Sequence, residues 1–189
     1  MRCWEPADAP LLKEAVDSSL DELRPWMPWA ADEPQSLEEK VALLRRFRSA
    51  FDRAEDFVYG IFDSREAEVV GGTGFHTRRG EDALEIGYWI RTSRTGAGLA
   101  TEAVAALTRV GLELCDVDRI EIRTDPSNER SRAIPRRLGY AEEAILRRRL
   151  AYPERRDVVV HTLFRDELSL CPAARANVEA YDALGRRVL

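Results

Sequence analysis

Two glycines, Gly96 and Gly98, stand one residue apart in RTGAGLATEAV (residues 94–104), directly before a segment that is predicted to be helical. The first N–H groups of a helix are unpaired and carry about half a positive charge from the aligned peptide dipoles. Without a Cβ atom at either position, an anion such as a phosphate can approach those N–H groups closely. The spacing therefore indicates an anion site, with a tight turn that needs positive φ as the alternative.

Two nucleotide motifs and a metal site fit this segment poorly. A dinucleotide fingerprint needs a third glycine where Thr101 stands, and a P-loop needs Gly-Lys-Ser/Thr, which is absent. His76 and His161 are far apart in the sequence, and neither HExxH nor CxxC occurs. We therefore expect no metal ion in the site.

The segment lies between a predicted strand and a predicted helix. Helices are predicted at 8–20, at 36–54 behind a Ser36–Glu39 capping box, at 99–115 and from Asn128. Strands are predicted at 56–63, 67–78, 83–91, 119–124, 140–148 and 157–164. This order predicts an α+β or mixed α/β domain over residues 1–166, followed by a helical appendage at 167–189.

Composition narrows the class of protein. The chain has 189 residues, 44% apolar and 33% charged, which is typical of one globular domain. A net charge of −5 argues against a nucleic-acid partner. No signal-peptide pattern or membrane-length apolar stretch is found, and Cys3, Cys115 and Cys171 are expected to be free thiols, so we expect a cytoplasmic protein without a membrane partner.

Four segments in order resemble one family. TGAGLA (95–100) resembles the pyrophosphate loop of the GNAT superfamily of N-acetyltransferases, with Thr95 where Gln or Arg is usual. LRPWMPWA (23–30), EIGYWI (85–90) and DPSNERSRAIPRRLGY (125–140) resemble its RimJ/RimL-like branch. The resemblance covers residues 2–166 and implies a mixed, twisted sheet of six to seven strands flanked by about four helices.

The resemblance also implies where acetyl-coenzyme A binds. The cofactor would lie where two central parallel strands, 83–91 and 118–124, splay apart, with its pantetheine arm on the backbone of Ile90 and Thr92. Asn128 and Ser131 would face it, and Asn128 could also be a helix cap. The loop residues expected around its pyrophosphate are Thr95, Gly96, Ala97, Gly98, Leu99, Ala100 and Thr101.

The implied catalytic residues are Glu85 and Ser131. Glu85 is the candidate base, and an ordinary strand residue is the equal alternative. Ser131 is expected to hydrogen-bond the departing sulfur, because Pro135 stands where many relatives have a tyrosine. The expected acceptor contacts are Trp26, Trp29, Phe75 and Tyr88, with one tryptophan in the acceptor wall and the other in the core.

The function implied is transfer of an acetyl group from acetyl-CoA to a primary amine. The acceptor would be a protein or peptide N-terminus, as in ribosomal-protein-alanine acetyltransferases, or a small-molecule amine. At pH 7 an α-amine of pKa about 8 needs roughly 1.4 kcal/mol to be neutral, and a lysine near 10.4 about 4.6 kcal/mol. The alternative is a non-catalytic acyl-CoA-binding module. Many relatives pair through their last strands, so a homodimer is also considered.

Overall fold

The computed structural model describes residues 1–151 and 154–189. The α-helices in this part of the chain are α1 (Ala9–Asp17), α2 (Leu20–Leu23), α3 (Leu37–Asp52), α4 (Leu99–Leu114) and α5 (Glu129–Leu138). The strands are β1 (Arg2–Cys3), β2 (Asp56–Phe62), β3 (Val69–His76), β4 (Ala83–Ile90), β5 (Arg119–Thr124), β6 (Ala141–Leu150) and β7 (Arg156–Phe164). None of the helices within these residues is long and apolar enough to cross a bilayer.

The seven strands form one mixed sheet in the order β1-β2-β3-β4-β5-β7-β6. β4 and β5 are its parallel neighbours, and the other paired strands are antiparallel. The parallel pairing covers only residues 83–85 of β4 and 119–121 of β5, although β4 continues to Ile90 and β5 to Thr124. The two central strands therefore separate towards their carboxyl ends, as predicted.

Each face of the sheet carries its own core. On the α4 face, Leu84 and Ile86 pack with residues of α4 and α5, and on the α1 face Trp89 packs against the cluster that includes α1. Because successive strand residues point to opposite faces, Glu85 and Gly87 lie on the α1 face with Trp89. These two faces determine which side chains can reach the gap between β4 and β5.

Local sequence signals explain most element boundaries. Ser36 accepts a hydrogen bond from the Glu39 N–H, and Glu39 accepts one from the Ser36 N–H, which confirms the capping box at α3. The predicted helix at 8–20 is divided into α1 and α2. The segment predicted as a helical appendage, 167–189, contains no α-helix: 3-10 helices occupy Arg165–Leu170 and Pro172–Arg175, and residues 176–189 are not helical. Leu168 and Ala173 are buried in the core on the α4 face.

Candidate functional site

The loop before α4 presents bare backbone to solvent. Gly96 and Gly98 have φ of +81° and +83°, so both use the left-handed conformation that glycine tolerates best. A Cβ atom built on either residue meets nothing within 4 Å. Within the described chain, none of the N–H groups of residues 96–101 has a protein acceptor. Positive φ and anion access, the two explanations considered for these glycines, therefore hold together.

A cavity of about 470 Å³ opens beside this loop. It is lined by Gly98, Thr101, Glu102, Ala105, Arg137, Ala176 and Asn177. Sequence reasoning missed Arg137, which lies in the last turn of α5 and is exposed. In the part of the chain described, its guanidinium makes no ion pair or hydrogen bond. Its position in the basic PRRLGY segment was visible, but its approach to the loop depends on how α5 packs beside α4.

The edge of β4 that faces the gap is open beyond Glu85. Arg91 donates its N–H to the Val70 carbonyl on β3 at 3.0 Å. Because peptide groups alternate along a strand, the N–H and C=O groups of Tyr88 and Ile90 point towards β5, which does not pair with them. Ile90 thus offers the free strand edge that was expected of it.

Thr92 does not offer a free edge. Its N–H donates to Ser19 Oγ at 3.0 Å, and its carbonyl accepts from the N–H and the hydroxyl of Thr95. The backbone of Thr92 is therefore not free for the pairing predicted there, and the open backbone groups on this edge are those of Tyr88 and Ile90. Thr95 closes the 3-10 turn before the loop, and its side chain is occupied by that turn.

Asn128, Ser131 and Tyr88 meet on the α4 face of the gap. Asn128 caps α5 by accepting a hydrogen bond from the Ser131 N–H at 3.1 Å. The Tyr88 hydroxyl lies 2.9 Å from Ser131 Oγ and 3.0 Å from the Ser131 carbonyl, to which it donates. Burial raises the pKa of Tyr88 to about 12, so its phenol remains protonated at neutral pH. Tyr88 therefore positions Ser131, and its side chain is not on the α1 face.

Glu85 is held in a network of ion pairs. Its carboxylate pairs with Arg78 and Arg79, and Arg123 Nε lies 3.7 Å from Oε2. Burial by itself would raise the pKa of Glu85, but the hydrogen bonds and charges of Arg78 and Arg79 outweigh it and hold the pKa below its ordinary value. A carboxylate stabilised in this way is a weaker proton acceptor, so the ion pairs favour the alternative that Glu85 is an ordinary strand residue.

The predicted acceptor contacts separate into two groups. Trp29 is 38% exposed, and its ring lies edge-on to Trp89 at 5.9 Å between ring centroids. Trp26 is half-buried under the Arg156 guanidinium, so neither predicted tryptophan is a fully buried core residue. Phe75 is 2% exposed in the core on the α4 face, so the prediction that it contacts the acceptor is corrected.

Arg156 connects the segment before the first predicted tryptophan to the residue that follows β5. Its Nη1 lies 2.7 Å from Asp125 Oδ2, directly after β5, and its Nη2 donates to the Pro25 carbonyl at 2.9 Å. These contacts fix the segment that carries Trp26 and Trp29 against the end of β5.

Within residues 1–151 and 154–189, no cluster of three or more His, Cys, Asp or Glu is arranged to hold a metal ion.

This geometry suits a long, anionic thioester ligand. The unpaired N–H groups fit a diphosphate, and the open edge of β4 fits an amide-containing arm. The family model described as "Acetyltransferase (GNAT) domain" matches residues 1–141. The chain belongs to the GNAT acetyltransferase family.

Similarities to individual proteins are consistent with membership in the GNAT family. The chain is 26% identical over 144 residues to YdaF of Bacillus subtilis, which is provisionally named a ribosomal N-acetyltransferase, covering 76% of this chain and 78% of YdaF. It is 30% identical over 127 residues to the [ribosomal protein uS5]-alanine N-acetyltransferase of Escherichia coli, covering 64% of this chain and 63% of that enzyme. RimJ of Mycobacterium smegmatis, solved with CoA-disulfide, superposes with a TM-score of 0.77 at 25% identity, covering 90% of this chain and 84% of RimJ.

The chain is therefore a GNAT N-acetyltransferase of the RimJ/RimL-like branch that uses acetyl-CoA and acetylates an amine. This excludes the non-catalytic module considered from the sequence. The seven-stranded mixed sheet with flanking helices confirms the predicted fold. In its loop, the exposed residues 95–98 lead into Leu99 and Ala100, which are partly buried and pack against the core.

Proposed function

We propose that this enzyme acetylates the α-amino group of a protein or peptide N-terminus. The observation that carries the proposal is the ion-paired state of Glu85, because this carboxylate of β4 is then not available as a strong base. Neutralising an α-amine at pH 7 needs about 3 kcal/mol less than neutralising a lysine, which corresponds to about two orders of magnitude in free amine. The name of the Escherichia coli relative, an alanine N-acetyltransferase of a ribosomal protein, supports the same acceptor class.

Acetyl-CoA supplies the acetyl group as a reactive thioester, and the chain's own residues bind and orient it in this proposal. The N–H groups of residues 96–101 hold the diphosphate, and Arg137 pairs with a further phosphate at the outer end of the cavity. The backbone groups of Tyr88 and Ile90 accept the pantetheine arm as an added strand. The Asn128 amide nitrogen, which has no acceptor in the described chain, is free to meet the same arm.

The two faces of the sheet divide the remaining work. On the α4 face, the Tyr88 hydroxyl lies within hydrogen-bond distance of both the Ser131 carbonyl and Ser131 Oγ. When its one hydrogen turns from the carbonyl to Oγ, the Ser131 hydroxyl hydrogen is free to donate to the leaving sulfur. On the α1 face, Trp26 and Trp29 form the acceptor wall, and Arg156 keeps that wall against β5. An amine that enters from the α1 face meets the gap next to Gly87.

A panel of acceptors tests the proposed acceptor class. Thiol release from acetyl-CoA is measured with peptides that have a free N-terminus and no lysine, with N-blocked peptides that contain one lysine, and with small amines. We expect the free N-terminal peptides to react about one hundred times faster than the lysine peptides, with the acetyl group on the α-nitrogen by mass spectrometry. Preference for the lysine peptides or for small amines contradicts the proposal.

The proposed setting is the cytoplasm, which the free thiols of Cys3, Cys115 and Cys171 fit. The proposed protein partner besides the acceptor is a second copy of the chain. β6 is an edge strand of the sheet, and its Ile145 is 58% exposed. Sedimentation should give a dimer that Ile145→Lys dissociates, and a monomeric wild-type protein at micromolar concentration would contradict this.

A further inference from the structure

His76 ends β3 on the α1 face of the sheet. Its neighbour Phe75 belongs to the core on the α4 face, so the imidazole points the opposite way. His76 Nδ1 lies 2.8 Å from Oδ1 of Asp56, its register partner on β2, and the side chain is 21% exposed. The second histidine, His161, is 0% exposed and cannot reach a substrate.

The Asp56 contact determines which ring nitrogen of His76 can accept a proton. An ionised carboxylate only accepts hydrogen bonds, so Nδ1 carries the hydrogen and donates it to Asp56. In the neutral imidazole, Nε2 then has the free lone pair. Asp56 fixes the tautomer and ring orientation as an orienting carboxylate does for a catalytic histidine.

Gly87 leaves room for this nitrogen over β4. A Cβ atom on Gly87 would lie 3.2 Å from His76 Nε2, so the ring lies over β4 where any other residue would place its side chain. Gly87 is two residues beyond Glu85, the last residue of β4 that pairs with β5. Nε2 therefore lies beside the start of the gap, on the face that carries the acceptor wall.

We propose that His76 is the general base that deprotonates the acceptor amine. The inference rests on the proposed function and identifies its proton acceptor. Conversion of an ammonium and a thioester to an amide and a thiol releases one proton, which passes from the ammonium nitrogen to Nε2 and then to water. The nitrogen's other surplus proton ends on the thiol sulfur as the C–S bond breaks and the C–N bond forms.

The groups around the ring support this assignment. Asp56 faces His76 from β2, Glu85 is its register partner on β4, and Arg78 lies close to both carboxylates. Arg78 and Arg79 already neutralise Glu85, so Asp56 is the carboxylate left to stabilise an imidazolium.

Kinetics of His76→Gln test the proposal. At saturating acetyl-CoA and pH 7 we expect kcat to fall at least one-hundredfold, because general bases contribute about 10²–10⁴. The loss should shrink as the pH rises and the amine deprotonates unaided, and free imidazole should restore turnover to His76→Ala. A kcat within threefold of wild type, or a loss that is equal at pH 6.5 and pH 9, overturns the proposal.

Two further measurements separate this proposal from the proposed function. If His76 acts only as the base, His76→Gln should bind CoA and melt as the wild-type protein does. The proposed function has its own test: it fails if the wild-type protein acetylates no α-amine. Without ligand, long-range ¹H–¹⁵N spectra should show His76 as the Nδ1–H tautomer in wild type, with His161 assigned by difference. An Nε2–H tautomer for His76 overturns the role of the base whatever the kinetics show.

Discussion

Replacing Gly98 with alanine separates the backbone role of this glycine from its role in binding. Gly98 has φ of +83°, and a Cβ there enters open space, so the apoprotein suffers only the left-handed strain of about 1–2 kcal/mol. For a chain of this size that lowers the melting temperature by about 2–8 °C. The affinity for CoA should fall by more than this strain, because the new methyl group enters the open space beside the loop in which the diphosphate is proposed to lie.

The expected loss of affinity follows from the hydrogen bonds involved. Each hydrogen bond to a charged group contributes about 1.5–3 kcal/mol, so displacing one of them raises the Kd for CoA at least about tenfold. Gly98→Glu should raise the Kd further, since its carboxylate repels the diphosphate. Calorimetric titration with CoA gives the Kd, and a thermal melt gives the strain.

Gly185 provides the matched control. It has φ of +72° and equally open space, but it lies in the tail beyond the cavity residues Ala176 and Asn177. Gly185→Ala and Gly185→Glu should leave the Kd for CoA unchanged. If the Gly98 variants bind CoA as wild type does, the diphosphate is not on this loop and the reasoning fails.

Three other substitutions test further parts of the account. Arg137→Ala should raise the Kd for CoA about tenfold and lessen the salt dependence of that Kd. The control Arg45→Ala, on α3, should change neither. If the two variants change the Kd equally, no phosphate lies at Arg137. Because the folded-state pKa of Glu85 is lowered, its contribution to stability is present above its unfolded pKa and is lost as pH falls. Glu85→Gln should therefore destabilise more at pH 7 than at pH 3 by thermal melts, and the reverse order would contradict the ion pairs. Lys40→Met leaves the Glu33 carboxylate buried and unpaired, and should cost about 3–5 kcal/mol in urea unfolding, against about 0–1 for Lys13→Met at an exposed pair; similar costs would contradict this.

The fold was predictable where local signals are strong. The alternation of RIEIRT predicted β5 at its observed bounds, and Ser36 with Glu39 marked the start of α3. β1 has only two residues, which is too short for any periodic signal. The tail lacked a helical stripe, and Pro172 interrupts it.

The sequence predicted the glycine loop of the site but not the ion pairs and hydrogen bonds around Glu85 and His76. The glycine spacing at 96–98 identified the open helix N-terminus, because the conformation of a short loop depends mainly on residues adjacent in the sequence. The partners of Glu85 come from the β3–β4 turn and from β5, and their meeting depends on the register of the sheet. Likewise, nothing in the sequence indicates that the ring of His76 lies over Gly87.

The central claim is that the backbone N–H groups of residues 96–101 hold the diphosphate of acetyl-CoA. A crystal structure of the complex with CoA tests it most directly. The account predicts diphosphate oxygens within hydrogen-bond distance of these N–H groups and the pantetheine arm alongside Tyr88 and Ile90. A diphosphate bound away from the loop, with the gap between β4 and β5 empty, would contradict the account.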